Sequence, residues 1–199
     1  KQQSFPSRVM YSAFQEPENA PSLNYIDVGS ADKAIIKMVA LNKFLYVFKE
    51  DGLYRVGGDF PNFYVEQFDP NVVLFAPDLV CTMGGSLFAL TTRGVFEINE
   101  STVRRISKDI QFDLDRICYN NTTYVRQKGF GVGNEDDHSV TFWLPNYIIT
   151  KVGIDQSSEC DIGFVYDGVG WTQRGDQANY ACAGRSTLFG DIGNGPDKY

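Results

Sequence analysis

The chain has 199 residues, 43% of them hydrophobic and 22% charged, a balance that suits one globular domain or at most two small ones. Its net charge of −7 and isoelectric point near 4.7 argue against tight, sequence-independent binding to nucleic acid, which needs clustered Lys and Arg. An acidic wall would still let a DNA strand slide past without sticking.

With 15 Phe, 11 Tyr, 2 Trp and 19 Gly, the composition favours strands and tight turns over helices. In chain order, Arg8-Val9-Met10-Tyr11-Ser12 reads as the first strand. The stretch from Asp32 to Asn42 carries Val and Ile in apolar runs and is expected to lead into a strand. Leu45-Tyr46-Val47-Phe48 is a continuous apolar strand of the kind covered on both faces. Lys49-Glu50-Asp51-Gly52 is its turn, and Leu53-Tyr54-Arg55-Val56 returns with alternation. Asn62 to Phe68 supplies an outer strand. Almost nothing in the chain reads as a helix.

Leu45 to Gly58 then recurs, without a gap, as Leu87 to Glu100, an offset of 42 residues. Leu45 matches Leu87, Tyr46 matches Phe88, Gly52 matches Gly94 and Val56 matches Ile98, while Val39-Ala40-Leu41 and Cys81-Thr82-Met83 lead into the two hairpins. A weaker third copy begins at Phe130, 43 residues beyond Leu87, turns at Asn134 to His138 and returns through Val140 to Leu144. After an insertion come the hairpin from Gly163 to Thr172 and the start of another at Ser186 to Asp191. A repeat of about 40 to 50 residues with several strands each is the mark of a β-propeller, whose blades bury one another's faces. The expected fold is therefore all-β: a single β-propeller domain or propeller fragment over residues 1–199, of three to four blades. Arg8 to Ser12 could close the circle on the last blade. The start at Lys1 and the end at Tyr199 read as a piece of a longer chain. The competing fold is a β-sandwich with similar hairpins.

Chemistry-bearing motifs are sparse. His138 is the sole histidine and sits beside Glu135, Asp136 and Asp137, which point in different directions and read as a solvated turn. Cys81, Cys118, Cys160 and Cys182 show no metal-ligand spacing; three sit in strand-like apolar runs, and a reduced, intracellular-type protein is expected. No nucleophile elbow, zinc-protease helix or P-loop is present, and the glycines at 129, 131 and 133 read as strand flexibility. Asp113, Asp115, Asp161 and Asp167 are the carboxylates that could serve glycoside hydrolysis, but their spacing selects no pair. Trp171, after the turn Tyr166 to Gly170, is either a carbohydrate-contacting aromatic or an outer-strand side chain packed on the next blade. No catalytic, cofactor or metal residue is assigned. No signal peptide is readable, and no apolar run reaches the roughly 18 residues of a membrane span.

Three stretches, in order, resemble the tail nozzle (tail tubular protein B) and tail-hub or packaged-DNA stabilisation proteins of short-tailed bacteriophages. They are Ser7 to Ser12 with Glu16-Pro17 and Ile26-Asp27-Val28-Gly29; Leu45 to Tyr54; and Phe142-Trp143-Leu144-Pro145 with Val165-Tyr166-Asp167-Gly168 and Trp171-Thr172. The resemblance spans nearly the whole chain. It implies a β-propeller in a ring-forming virion subunit, usually sixfold, below the portal and adaptor and next to tail-fibre or needle proteins. Such a ring forms part of the conduit that retains the genome and passes it at ejection, without catalysis, cofactor or specific DNA binding. It would be made in the host cytoplasm. The alternative expectation is a carbohydrate-binding or carbohydrate-active propeller recognising host surface glycans.

Overall fold

The computed structural model describes residues 5–149 and 153–175, which fall into two compact units, Lys1–Leu74 and Phe75–Tyr199. In the first unit, β1 (Arg8–Met10) pairs antiparallel with β2 (Tyr25–Asp27). The Arg8 guanidinium binds the Asp27 carboxylate at 2.8 Å and lies 3.6 Å from the Tyr25 ring centre, which locks the ribbon's register. The first strand thus has a local partner, since two short strands joined by an ion pair close only a small loop; the end of the chain, on which it was expected to close a circle, lies outside the described residues.

The main sheet of this unit is an antiparallel meander of β3 (Ile35–Leu41), β4 (Phe44–Lys49), β5 (Gly52–Asp59) and β6 (Asn62–Asp69). The stretch from Asp32 to Asn42 thus enters a strand, as its β-branched residues require. Val28, Val47, Tyr54 and Val56 form a buried cluster beside it. Lys49, at the end of β4, is also fully buried. Its ammonium donates to the carbonyls of Val28 (2.5 Å) and Ser30 (2.8 Å) and lies 3.8 Å from Asp51. The loop after β2 is thereby tied to the β4–β5 hairpin by groups that would be costly to bury alone.

The second unit begins with the same design. β7 (Val80–Met83), β8 (Ser86–Thr91), β9 (Gly94–Ile98) and β10 (Val103–Arg105) form a second four-stranded meander. Two short helices follow, α1 (Gln111–Asn120) and α2 (Thr122–Lys128). The third meander is β11 (Phe130–Asn134), β12 (Ser139–Ile149), β13 (Ile154–Tyr166) and β14 (Trp171–Arg174). One hydrophobic core joins these elements, with Phe88, Leu90, Leu114, Ile117, Val125, Phe142, Leu144 and Phe164 among its members.

The chain is thus mainly β, with three four-stranded antiparallel meanders and one two-stranded ribbon among the described residues. The helices correct the expectation of a chain almost without them, and they place Cys118 on α1 and not in a strand. Ile110, Leu114, Ile117 and Cys118 meet the core at helical spacing. The start signal is missing, because Ile110 caps α1 and supplies no side-chain hydrogen bond to its first turn. The third copy also runs one strand out of phase with the sequence alignment. Residues from Phe130 form the first strand of the third meander, equivalent to β7, whereas Leu87 lies in the second strand of its own. The helices inserted after β10 cause that slip. The hairpin expected at Ser186 to Asp191, like Cys182, lies outside the described residues.

Two backbone devices shape the second unit. The first is the approach of β11 to β7, where the Gly131 amide donates to the Asp78 carbonyl at 2.8 Å. A side chain at Gly133 would collide with the Thr82 carbonyl, so that glycine serves close backbone approach and not flexibility. The second is Pro145 inside β12, which brings a break in register on both sides. There the Asn146 amide donates to the Asp161 carboxylate at 2.7 Å, and the buried Asn121 donates to the carbonyls of Pro145 (3.0 Å) and Asn146 (2.8 Å). Side chains replace the ladder bonds that a proline interrupts.

Candidate functional site

Within the described residues, each candidate residue of the sequence has a definite place. His138 sits exposed at the β11–β12 turn with φ of 48°. Asn134 organises that turn: its side-chain oxygen accepts from the Asp136 amide at 3.0 Å and its nitrogen donates to Asp137 at 2.9 Å. The Glu135 carboxylate accepts from the Gly84 amide at 3.0 and 3.1 Å, which docks this turn on the β7–β8 turn. Among the described residues no group of three His, Cys, Asp or Glu side chains is placed to hold a metal ion.

Trp171 is not offered as an open platform. Its indole N–H donates to the Ile106 carbonyl at 2.8 Å, and its ring stacks on Tyr166 with centroids 5.1 Å apart. Ile106 follows β10, so among the described residues this outer-strand aromatic seals against the preceding meander. Asp167 is consumed in the same turn, accepting from the amides of Val169 (3.0 Å) and Gly170 (2.8 Å). Those two amide bonds hold its carboxyl below the usual carboxylate value.

Cys81, Cys118 and Cys160 are free thiols. Burial is the main cause that pushes each of them up to about 12. A thiol so far from ionising is a poor nucleophile and a poor metal ligand. The Asn-x-Thr pattern at Asn121 marks a fully buried side chain that holds the β12 bulge, not a surface acceptor.

The remaining carboxylates each have a local setting. Asp115 accepts from Gln111 at 2.6 Å on its own helix, and Asp161 is engaged by the Asn146 amide. Asp113 does reach a concave site. A cleft of about 410 Å³ opens between α1 and the third meander, lined by Asp113, Arg116, Ile117, Asn146, Tyr147 and Ile162, with Gln173 from β14. Arg116 lies between two rings, 5.3 Å from the Phe112 centre and 5.8 Å from that of Tyr147. Ile117 and Ile162 form its apolar floor. Sequence reasoning found Asp113 and Asp161 but not Arg116, Tyr147 or Gln173. The one available signal was the helical spacing that puts Asp113 and Arg116 beside the buried Leu114 and Ile117.

A second surface feature belongs to the first unit. Tyr11, Phe14, Phe60 and Phe63 form a cluster with ring centroids 5.1 to 6.4 Å apart, yet Phe14 is 65% and Phe60 42% exposed.

No family model matches the chain, and no curated protein is recognisably similar to it.

Proposed function

We propose that this chain is a structural protein of a bacteriophage tail, a nozzle or hub component that works by assembly rather than chemistry. The observation that carries the reading is the repetition of the meander. The hairpin β4–β5 pairs Leu45 with Val56 and Lys49 with Gly52, and β8–β9 pairs Leu87 with Ile98 and Thr91 with Gly94. All positions differ by the same 42 residues, and the registers of β3–β4 and β7–β8 correspond in the same way. A meander repeated in one register is the pattern of propeller blades, and within the second unit the first strands β7 and β11 of consecutive meanders also lie side by side, although the third meander has a register of its own.

The order of the three sequence stretches that resemble tail nozzle and hub proteins adds the biological setting. In that setting the chain forms, with copies of itself, a sixfold ring below the portal and adaptor. Fibre or needle proteins dock on its loops, and DNA passes without specific binding. An acidic balance of −7 suits such a wall. The exposed aromatic cluster around Phe14 and Phe60 supplies apolar surface of the kind subunit contacts use. The protein's place is then the virion tail, after synthesis in the host cytoplasm.

The test is light scattering and negative-stain imaging of the protein, alone and mixed with portal and adaptor. A ring with a central hole is the expected product, and Phe14→Ser with Phe60→Ser should reduce ring formation without unfolding the chain. A chain that stays monomeric in both conditions sinks the reading.

A further inference from the structure

The cleft between α1 and the third meander brings together one acid, one base, two amides and an aromatic ring. We propose that it binds a neutral pyranose sugar through a pair of adjacent hydroxyls. This inference stands whether or not the chain forms a ring.

A sugar hydroxyl both donates and accepts, so neighbouring hydroxyls are best met by flat side chains that present two like atoms at once. The cleft supplies a carboxylate (Asp113) to accept, a guanidinium (Arg116) to donate, and two amides (Asn146 and Gln173) that do either. No hydrogen bond or ion pair occupies the Asp113 or Arg116 head among the described residues. Arg116 is instead steadied near the Phe112 and Tyr147 rings, 5.3 and 5.8 Å from their centres.

Sugars also have an apolar face of C–H groups that settles on aromatic rings. Tyr147 lines the cleft, and Phe112, on the same helix, is 71% exposed where a soluble surface would ordinarily avoid a phenyl ring. The site is pre-organised. The Asn146 amide is held by Asp161 and its carbonyl by Asn121, so the bulge that carries Asn146 and Tyr147 does not need to be ordered on binding. A volume of about 410 Å³ is that of a small-molecule site, large enough for one ring and its hydroxyls.

Charge narrows the ligand. One acid and one base line the cleft, so its lining carries no net charge. The chain as a whole is at −7, which repels phosphorylated or polyanionic sugars. An uncharged pyranose remains.

Saturation-transfer NMR on the full chain with the methyl glycosides of glucose, galactose, mannose and N-acetylglucosamine tests this. At least one should receive transfer, with a Kd of about 1 mM as expected for a shallow single-ring site. Asp113→Asn and Arg116→Gln lie on the exposed helix surface and leave the fold intact by circular dichroism; each should weaken binding by about tenfold. Tyr147→Ala should weaken it as much, and Asp167→Asn, in the separate β13–β14 turn, should leave it unchanged. No transfer to any of the four glycosides overturns the proposal, as does binding that both helix variants leave untouched. If sugars fail while the assembled particle shields Phe112 and Tyr147 from labelling, the cleft belongs to a subunit contact.

Discussion

The meanders β3–β6 and β7–β10 share a register yet end their second strands differently. Lys49 and Thr91 occupy the same position, each opposite a glycine, and each is buried. Lys49 reaches out of its sheet to the carbonyls of Val28 and Ser30. Thr91 stays within its hairpin, where its hydroxyl donates to the Gly94 carbonyl at 2.8 Å and accepts from the Arg93 amide at 3.1 Å. Alternation and turn geometry set the register in both. The polar group that closes the strand is at liberty to differ, provided something satisfies it. One solution fastens a neighbouring loop and the other leaves the hairpin self-contained.

The sharpest way to break this comparison is to replace each of the two residues in turn. Thr91→Lys buries an ammonium where no outside carbonyls wait for it, and a loss of about 3–5 kcal/mol in urea unfolding is expected. Lys49→Met keeps the bulk but leaves the Val28 and Ser30 carbonyls without their donor and Asp51 without its nearby positive charge. It should cost about 2–4 kcal/mol, with hydrogen exchange rising first in residues 28–30. Both substitutions having equal, small effects would show that the position tolerates either group.

The paired glycines sharpen the comparison further. Gly52 has φ of 130° and Gly94 φ of 111°, so alanine is strained at both. At Gly52 the new methyl would meet backbone, with Pro70 Cα 2.7 Å away. At Gly94 it would meet the side-chain oxygens of Gln111 and Ser107, which can shift only by loosening the Ser107 bonds to Gln111 and the Val95 amide. Gly52→Ala should therefore cost about 2–3 kcal/mol and Gly94→Ala about 1–2 kcal/mol, by the same unfolding assay.

Smaller effects come from titration. The folded pKa of the Cys81 thiol is about 12, above its ordinary 9.0. The stability this contributes is complete below pH 9.0 and is lost as pH rises towards 12. Cys81→Ala should flatten that alkaline decline, while the native thiol should react with Ellman's reagent only as fast as the chain opens. Asp167 has the opposite sign: its depressed folded pKa adds stability above 3.8 that fades as pH falls through the folded value. Asp167→Asn should remove a small acid dependence of the β13–β14 turn and nothing more, read by NMR shifts of Val169 and Gly170.

Much of the strand architecture was legible. Leu45-Tyr46-Val47-Phe48 and its copy at Leu87 announce their faces by apolar runs, and Gly52 and Gly94 announce the turns. The helices were not legible, because α1 begins at an apolar residue and its stripe of Ile110, Leu114, Ile117 and Cys118 matters only against a core. The candidate site was half legible. Asp113 and Asp161 drew attention as carboxylates, but their partners carry no motif.

The sequence by itself determined the β4–β5 and β8–β9 hairpins, since apolar runs and positive-φ glycines are local properties. Only the tertiary structure decided that Trp171 seals inward against Ile106, that Lys49 holds a distant loop, and that Asp113, Arg116, Tyr147 and Gln173 share one cleft. Those side chains come from α1, β12 and β14, and no short-range pattern records which elements a core will bring together.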